Sequence, residues 1–299
     1  MLTRIVVLCG PTAVGKSKIA LELAQQHQGE IVSADSQQVY KDLDIGTAKP
    51  TPAERSKISH HLIDVASPDE SFDVSRYAAL ADQAIADIAK RGRLPLVVGG
   101  AGMYIRILLY GLCDAPPQDK AVRQRLLQRV ETEGLKKLYA ELKKIDGEAA
   151  QKIHPNDKNR IIRALEVHEL TGYPLSHFQQ RHRFAKPRYE ARQIGLNIDR
   201  KVLHQNIERR VDWMIANGWV EEVRELLKFY PSECQALQSI GYKQIVRHLK
   251  GQASLPATIE EIKKETRALA RRQLTWFRAD KNIRWFDPAD AGWSRALNS

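Results

Sequence analysis

Residues 10–17 read Gly10-Pro11-Thr12-Ala13-Val14-Gly15-Lys16-Ser17, which matches the pattern G-x-x-x-x-G-K-[ST] of a phosphate-binding loop. The preceding run from Arg4 to Cys9 is apolar and rich in β-branched residues, as is typical of a parallel strand buried on both faces. The residues that follow, 18–26, mix isoleucine and leucine with Ala, Glu and Gln, which favours a helix. Because the motif requires a strand before it and a helix after it, this context predicts a P-loop.

Each part of the loop suits a phosphate compound. Gly10 and Gly15 let the backbone close around an anion, so that successive N–H groups and the helix N-terminus face phosphate oxygens. Lys16 adds a point charge, and Ser17 adds a hydroxyl suited to Mg²⁺. We therefore predict that residues 10–17 bind a diphosphate or a nucleotide such as ATP, with Ser17 as the metal ligand.

The composition is ordinary for a globular protein. The chain has 299 residues, of which 43% are hydrophobic and 28% charged, and it contains no apolar run of membrane-spanning length. The first strand begins at Arg4, which leaves no room for a signal peptide, so we expect a cytoplasmic protein that does not bind membranes. The three cysteines are scattered without a C-x-x-C pair, which argues against a disulfide framework and a structural zinc site.

The charge balance favours polyanionic partners. The chain carries 47 Lys and Arg against 36 Asp and Glu, a formal charge of +11. Residues 119–192 hold 17 of these cations and 10 of the anions, a net of +7 in a quarter of the chain. Within that stretch Arg160 and Arg163 lie one helical turn apart, as cations contacting RNA phosphates would. A basic face exposed to solvent explains the same residues equally well.

Two further strand ends carry polar or small residues. Residues 30–34 form the second predicted strand, which delivers Asp35, Ser36, Gln37 and Gln38 at its carboxyl end, beside the phosphate loop. Asp35 is therefore a candidate for acid–base chemistry or for Mg²⁺, with a helix or turn cap as the alternative. A third strand, residues 94–98, ends in a glycine-rich segment at the same edge, Gly99-Gly100-Ala101-Gly102.

The order of the predicted elements defines the fold class. Strand, helix and strand alternate up to residue 115, which predicts an α/β fold with a doubly wound, P-loop NTPase-like parallel sheet and flanking helices. The alternation stops at Ala115-Pro116-Pro117, and helical patterning alone continues to about residue 190. We predict a core of residues 1–115 and 191–299, interrupted by an all-helical domain of residues 116–190. His60 and His61, adjacent in sequence, favour the entrance of a strand over a metal site.

Taken together these segments resemble the tRNA dimethylallyltransferases. The resemblance runs through almost the whole chain and depends on an ordered set of segments: the phosphate loop, Asp35 to Tyr40, Gly46 to Pro50, Gly99 to Tyr104, Asn159 to Gly172, Arg210 to Gly218, Ile240 to Tyr242, and Arg272 to Arg278.

The resemblance implies a reaction. The family transfers a dimethylallyl group from dimethylallyl diphosphate to N6 of the adenosine beside the anticodon, with Mg²⁺ and release of diphosphate. It further implies that Asp35 is the general base, that Lys16 and a Ser17-bound Mg²⁺ stabilise the leaving diphosphate, and that Arg210 faces that diphosphate. The implied partners are the anticodon stem-loop of tRNA and the prenyl diphosphate, and the protein is expected to be a monomer.

The resemblance also implies a set of residues that contact tRNA. Ser36, Gln37 and Gln38 would hold the flipped adenosine together with Asp35. Further contacts are implied at Ala101, Arg123, Asn159, Arg160, Ile161, Ile162, Arg163, Ile240, Gly241, Tyr242, Lys243, Gln244, Ile245, Val246 and Arg247. One departure concerns Ala101, because the family usually has Thr in that glycine-rich segment. The missing hydroxyl puts in question a polar contact at 101 and the turnover rate, but not the type of reaction.

Three other functions fit part of the sequence. A P-loop kinase for a small molecule fits the loop and the sheet but leaves the basic insert unexplained. An RNA-binding switch would bind a nucleotide only to change shape. Prenylation of free adenine nucleotides would need the pocket but not the insert.

Overall fold

The computed structural model describes residues 2–290 and 292–295, and its centre is one parallel sheet of six strands. Every strand pairing in this sheet is parallel, and the spatial order is β3-β2-β4-β1-β5-β6. The strands are β1 (Arg4–Cys9), β2 (Gly29–Ala34), β3 (His60–His61), β4 (Leu94–Gly99), β5 (Glu190–Leu196) and β6 (Ile283–Phe286). The expected doubly wound parallel sheet is therefore confirmed.

Fourteen α-helices accompany the sheet among the described residues. They are α1 (Lys16–Gln26), α2 (Pro52–Lys57), α3 (Val74–Lys90), α4 (Gly102–Tyr110), α5 (Lys120–Glu133), α6 (Leu135–Ile145), α7 (Gly147–Lys152), α8 (Lys158–Thr171), α9 (Leu175–His182), α10 (Arg200–Ala216), α11 (Trp219–Phe229), α12 (Tyr242–Leu249), α13 (Leu255–Arg278) and α14 (Gly292–Arg295). None of the helices in the described ranges is long and apolar enough to cross a membrane.

The chain forms two compact units. One unit runs to Leu109 and resumes at Arg188, and the other spans Tyr110–Pro187. The second unit consists of helices α5 to α9, with a core that includes Leu138, Leu142 and Ile162. It begins six residues before, and ends three residues before, the insert expected at 116–190.

The core of the first unit forms around β1. Val6 and Leu8 of β1 pack with Leu96 of β4, Ile194 of β5 and Leu23 of α1, and all five side chains are buried. This burial on both faces explains why the sequence of β1 is a continuous apolar run rather than an alternating one.

Helix caps account for two differences between the sequence pattern and the observed elements. The helical sequence pattern of residues 259–277 predicts a helix that starts at residue 259, but α13 begins at Leu255, because the Ser254 hydroxyl caps it by accepting a hydrogen bond from the Ala257 N–H. The apolar pattern of residues 193–198 predicts a strand over that range, but β5 ends at Leu196, because Asp199 caps α10 by accepting from the N–H groups of Lys201 and Val202.

The register of the sheet brings three strand ends together. Gly99 of β4 lies opposite both Cys9 of β1 and Ala34 of β2, so the residues that follow these strands share one edge. Glycine is required at 99, because a Cβ atom there would lie 2.0 Å from the Ala34 carbonyl oxygen. The phosphate loop, Asp35 and the glycine-rich segment thus emerge side by side, as expected at the carboxyl edge of an open parallel sheet.

Candidate active site

The phosphate loop joins β1 to α1. Gly10 and Gly15 adopt positive φ angles of 145° and 101°, a conformation that side chains with a Cβ atom rarely adopt. The turn brings Lys16 to the first position of α1, with Gly15 as the N-cap. The helix N-terminus therefore faces the same edge of the sheet as the loop, as required for binding an anion.

Lys16 lies beneath the loop. Its Nζ atom donates hydrogen bonds to the carbonyl oxygens of Gly10 (2.9 Å) and Pro11 (2.7 Å). Burial, and to a smaller extent the nearby Arg210 charge, lower the pKa of Lys16 to about 8, although the Asp35 carboxylate opposes both effects. A poorly hydrated ammonium is stabilised by an anionic ligand more strongly than an exposed one would be.

Arg210 brings a second cation to the loop from α10. Its Nη1 atom donates to the Thr12 hydroxyl at 3.3 Å. Burial lowers the pKa of Arg210, although Asp35 favours the charged form, and the guanidinium stays charged. Neither Arg210 nor Lys16 forms an ion pair within residues 2–290 and 292–295.

Gln273 of α13 is a residue of the site to which the sequence analysis gave no role. Its Oε1 atom accepts from the Thr12 N–H at 2.9 Å, and its Nε2 atom donates to the Gly100 carbonyl at 3.1 Å. The carboxamide thus joins the phosphate loop to the glycine-rich segment after β4. The sequence feature that could have indicated this role is a polar amide on the inward face of α13, between Ala270 and Phe277, which are both buried.

Asp35 follows β2 directly. Its Oδ1 atom accepts from the N–H groups of Gln37 (2.8 Å) and Gln38 (3.3 Å), so the carboxylate caps a turn, as the alternative interpretation held. The same side chain lines the cavity described below. Capping therefore orients the carboxylate without removing it from the site.

The side chain of Gln38 is held within the protein. Its Oε1 atom accepts from the Ser33 hydroxyl at 3.1 Å, and its Nε2 atom donates to the carbonyl oxygens of Thr47 (3.2 Å) and Ala48 (3.3 Å). The contact of Gln38 with adenosine stays a prediction, and these bonds limit the polar atoms available for it.

A cavity of about 730 Å³ connects these groups. Its polar side is lined by residues of the phosphate loop and of the neighbouring strand ends: Thr12, Ala13, Gly15, Lys16, Ser17, Asp35, Ser36, Gln37, Gln38, Gly100, Ala101, Arg210 and Gln273. Its other side is largely apolar and includes Ile207, Val211, Met214, Trp219, Ile240, Tyr242 and Leu269. One cavity therefore offers an anion site and an apolar wall together.

The side chains of the segment Ile240–Arg247 lie partly in the cavity, partly in the protein interior and partly in a separate groove. Ile240 and Tyr242 line the cavity, whereas the side chains of Gln244, Ile245 and Val246 are buried. Lys243 and Arg247 line a separate groove that also contains Glu261, and Arg247 forms an ion pair with that glutamate. Gly241 adopts a positive φ of 92° at the start of α12. Contact between this segment and tRNA stays a prediction, with Lys243 and Arg247 as its most accessible side chains.

The predicted tRNA residues of the insert also differ in exposure. Asn159 and Arg160 are exposed, and Arg160 pairs with Asp157 at 3.3 Å. Ile161 and Ile162 are completely buried in the core of the helical unit. Arg163 is half-buried and donates to Glu166 and to the Pro116 carbonyl. Arg123 lies 3.8 Å from the Glu166 carboxylate.

The donor set of the cavity fits Mg²⁺ that is carried by a phosphate substrate. The described residues contain no cluster of three or more His, Cys, Asp or Glu that could hold a metal alone. Ser17 is exposed in the first turn of α1 and lines the cavity together with Asp35. Since Mg²⁺ commonly takes one or two protein oxygens and completes its shell with phosphate oxygens and water, this set is sufficient.

Comparison with known proteins identifies the family. The model of the IPP transferase family matches residues 38–280, and the model named isopentenyl transferase matches residues 3–70. This chain belongs to the tRNA dimethylallyltransferases. The resemblance inferred from the ordered motifs is confirmed, and the family is one of enzymes that transfer prenyl groups.

Relatives match along nearly the full chain. The tRNA dimethylallyltransferase of Syntrophobacter fumaroxidans is 49% identical over 96% of this chain and 84% of its own length. That of Geobacter metallireducens is 49% identical over 95% of this chain and 93% of its own. Kinases and RNA-binding switches find no support in these matches, and neither does prenylation of free nucleotides.

Solved structures agree with the fold. The full-length tRNA isopentenylpyrophosphate transferase of Bacillus halodurans is 40% identical, with a TM-score of 0.72 over 100% of this chain and 94% of that chain. A eukaryotic dimethylallyltransferase, described as acting on tRNA, is 30% identical, with a TM-score of 0.81 over 99% of this chain and 77% of its own. The P-loop NTPase-like fold is thereby established for this chain.

Proposed function

We propose that this chain transfers a dimethylallyl group from dimethylallyl diphosphate to N6 of the adenosine next to the anticodon of tRNA and releases diphosphate. One observation carries the proposal beyond family membership. The same cavity contains two cations without an ion pair in the described chain, Lys16 and Arg210, and a strand-end carboxylate, Asp35.

The phosphate loop serves the leaving group. As the bond between the allylic carbon and oxygen breaks, its electron pair moves to the diphosphate, where negative charge increases. Lys16, Arg210 and the N–H groups at the start of α1 would stabilise that charge more strongly in the transition state than in the ground state. Ser17 would hold the Mg²⁺ ion, which when bound neutralises part of the diphosphate charge.

Asp35 serves the nucleophile. The nitrogen lone pair of the exocyclic amine is delocalised into the adenine ring, so the amine attacks poorly unless it loses a proton. As N6 forms its bond to the allylic carbon, Asp35 would accept the N6 proton. The hydrogen bonds from Gln37 and Gln38 fix the Oδ1 atom, and Ser36, Gln37 and Ala101 line the same cavity, where the flipped adenosine would be held.

The apolar wall suits the five-carbon group. Val211, Met214 and Leu269 offer aliphatic surface within the cavity that also contains the anion site. An allylic cation-like centre reacts readily with water, so a wall that excludes water protects the group until the amine attacks.

The tRNA substrate also bears on the role of the insert, the oligomeric state and the location of the reaction. RNA phosphates would be contacted by exposed cations of the insert such as Arg160, and those contacts would position the anticodon stem-loop. We also propose that the protein acts as a monomer, since the proposed base Asp35 and the cations for the diphosphate, Lys16 and Arg210, meet in one cavity. A tRNA substrate also assigns the reaction to the cytosol.

Location of a transferred label tests this function. Purified protein with Mg²⁺ and labelled dimethylallyl diphosphate is incubated with unmodified tRNA, with AMP, or with a tRNA that has guanosine in place of the adenosine beside the anticodon. We expect label only in the first tRNA, on that adenosine, and more than about a hundredfold less of it with Lys16→Ala. Label on AMP alone, or phosphate transfer from ATP without prenyl transfer, would contradict the proposal.

A further inference from the structure

One wall of the cavity is a loop that links the Asp35 segment to α2. Gly46 and Thr47 of this loop line the cavity. The loop lies directly on α11, because a Cβ atom built at Gly46 would be 2.1 Å from the indole Nε1 of Trp219. Trp219 is itself 2% exposed, so the loop rests on a buried aromatic side chain.

The carboxylate of Glu222, one turn after Trp219, anchors this loop. Its Oε2 atom accepts from the backbone N–H groups of Asp44 (2.9 Å) and Ile45 (2.7 Å). Its Oε1 atom accepts from the Gly46 N–H (3.3 Å) and from the Tyr242 hydroxyl (2.7 Å). Three consecutive backbone donors and a buried phenol therefore converge on one side chain, a set of bonds that only a carboxylate can accept completely.

The anchored loop is connected to Asp35 through Gln38. Beyond Gly46, the carbonyl oxygens of Thr47 and Ala48 accept from the Gln38 carboxamide. The Gln38 N–H in turn donates to the Asp35 carboxylate, as does the Gln37 N–H. A displacement of the loop would therefore move Gln38 and, with it, one of the two donors that orient Asp35.

The phosphate loop has separate supports. Gln273 bonds to the Thr12 N–H, Arg210 to the Thr12 hydroxyl, and Asn206 to the Ala13 carbonyl at 3.3 Å. None of these bonds passes through Glu222 or residues 44–48. The adenosine side and the diphosphate side of the cavity are thus held by different side chains.

We infer that Glu222 is a positioning residue for prenyl transfer, which acts through residues 44–48 and Gln38 on the Asp35 carboxylate. The inference rests on the proposed function, since Asp35 must be the base for its position to affect the rate. A misplacement of about 1 Å can slow an enzyme by roughly a hundredfold. Loss of the Glu222 anchor is therefore expected to reduce the rate of the chemical step and to leave prenyl diphosphate binding unchanged.

The test compares Glu222→Gln with Glu225→Gln, a matched change one turn further along α11 at a side chain that is exposed and bonded to Lys228. Single-turnover prenyl transfer to tRNA, prenyl diphosphate affinity and amide hydrogen exchange are measured for both. For Glu222→Gln we expect transfer that is about tenfold to a hundredfold slower, diphosphate affinity within about twofold of wild type, and faster exchange at residues 44–46. Glu225→Gln is expected to match wild type in all three.

Gly46→Ala supplies a second, independent variant. Its methyl group would clash with Trp219 and displace the same loop while Glu222 is retained, so the same kinetic pattern is expected. A wild-type transfer rate in both variants, or an amount of transfer and a number of diphosphate binding sites that fall together in proportion to the folded fraction, would overturn the positioning role. If wild-type protein transferred no label to tRNA, the proposed function would fail and this inference with it.

Discussion

The cations that line the cavity of the core and the cations of the helical insert are held in different ways. Lys16 and Arg210 contact only uncharged oxygen atoms in the described chain, and burial lowers the pKa of each. In the insert, by contrast, many Lys and Arg side chains form ion pairs with carboxylates. The pairs include Arg123 and Arg163 with Glu166, Arg125 with Glu169, Arg129 with Glu133 and Glu141, Lys137 with Glu133, Lys152 with Glu148, and Arg160 with Asp157.

This difference shows that a count of charged residues omits whether each cation is already paired with a carboxylate. A partly buried cation without an anionic partner interacts strongly with an anionic ligand that binds beside it. The charge of a paired cation, in contrast, is already stabilised by the protein. Glu166 illustrates the second case, because its buried carboxylate accepts from Arg163 and from the Asp119 N–H. Arg163 therefore supports the helical unit itself, and Arg160, with a side chain 64% exposed, is the better candidate for RNA contact.

The largest expected effect is that of Lys16→Ala. The variant removes a half-buried cation whose interaction strengthens as diphosphate departs, and one such electrostatic donor contributes roughly 3 to 4 kcal/mol. We expect prenyl transfer to fall by more than about a hundredfold, with tRNA affinity nearly unchanged. Steady-state kinetics measures the fall in prenyl transfer, and a parallel binding measurement checks the tRNA affinity. Wild-type turnover would exclude residues 10–17 as the diphosphate site.

An intermediate effect is expected from Gln273→Met, which keeps the length of the side chain but removes both of its hydrogen bonds. The phosphate loop and the Gly100 segment would lose their link, and we expect about tenfold weaker binding of prenyl diphosphate, or roughly 1.4 kcal/mol. Calorimetric titration with dimethylallyl diphosphate measures this change in affinity. Unchanged affinity would mean that the loop is held adequately without Gln273.

The smallest effect concerns the insert. Arg160→Ala is compared with Lys152→Ala, whose side chain is 65% exposed and is also paired with a carboxylate in the same unit. If Arg160 contacts an RNA phosphate, its loss should reduce the slope of log affinity against log salt by roughly 0.7 to 0.9, and the loss of Lys152 should not. Equal small shifts in both variants would instead indicate a basic face exposed to solvent.

Local patterns predicted the elements of this fold well. The apolar run predicted as the first strand, Arg4 to Cys9, coincides with β1, because burial on two faces leaves a signal in neighbouring positions. The register of the sheet then placed Asp35 beside the phosphate loop, as parallel strands require.

The supports of the site were not predictable in this way. Thr12 and Gln273 are 261 positions apart, and the donors bonded to Glu222 at Asp44, Ile45 and Gly46 are 178, 177 and 176 positions from it. No local period connects such residues, since their contact depends on how α11 and α13 pack against the loops. The pairing of Arg125 with Glu169, 44 positions away, was missed for the same reason. Arg163 and Glu166, in contrast, lie one turn apart on α8, a spacing that the sequence does show.

Single-turnover transfer by Asp35→Asn tests the assignment of the base most directly. The amide can still accept from the Gln37 and Gln38 N–H groups but cannot take a proton at neutral pH. With both substrates saturating, we expect affinities within about twofold of wild type and a rate lower by roughly a hundredfold or more. A wild-type rate, or weakened tRNA binding with unchanged single-turnover chemistry, would contradict the role of Asp35 as the base.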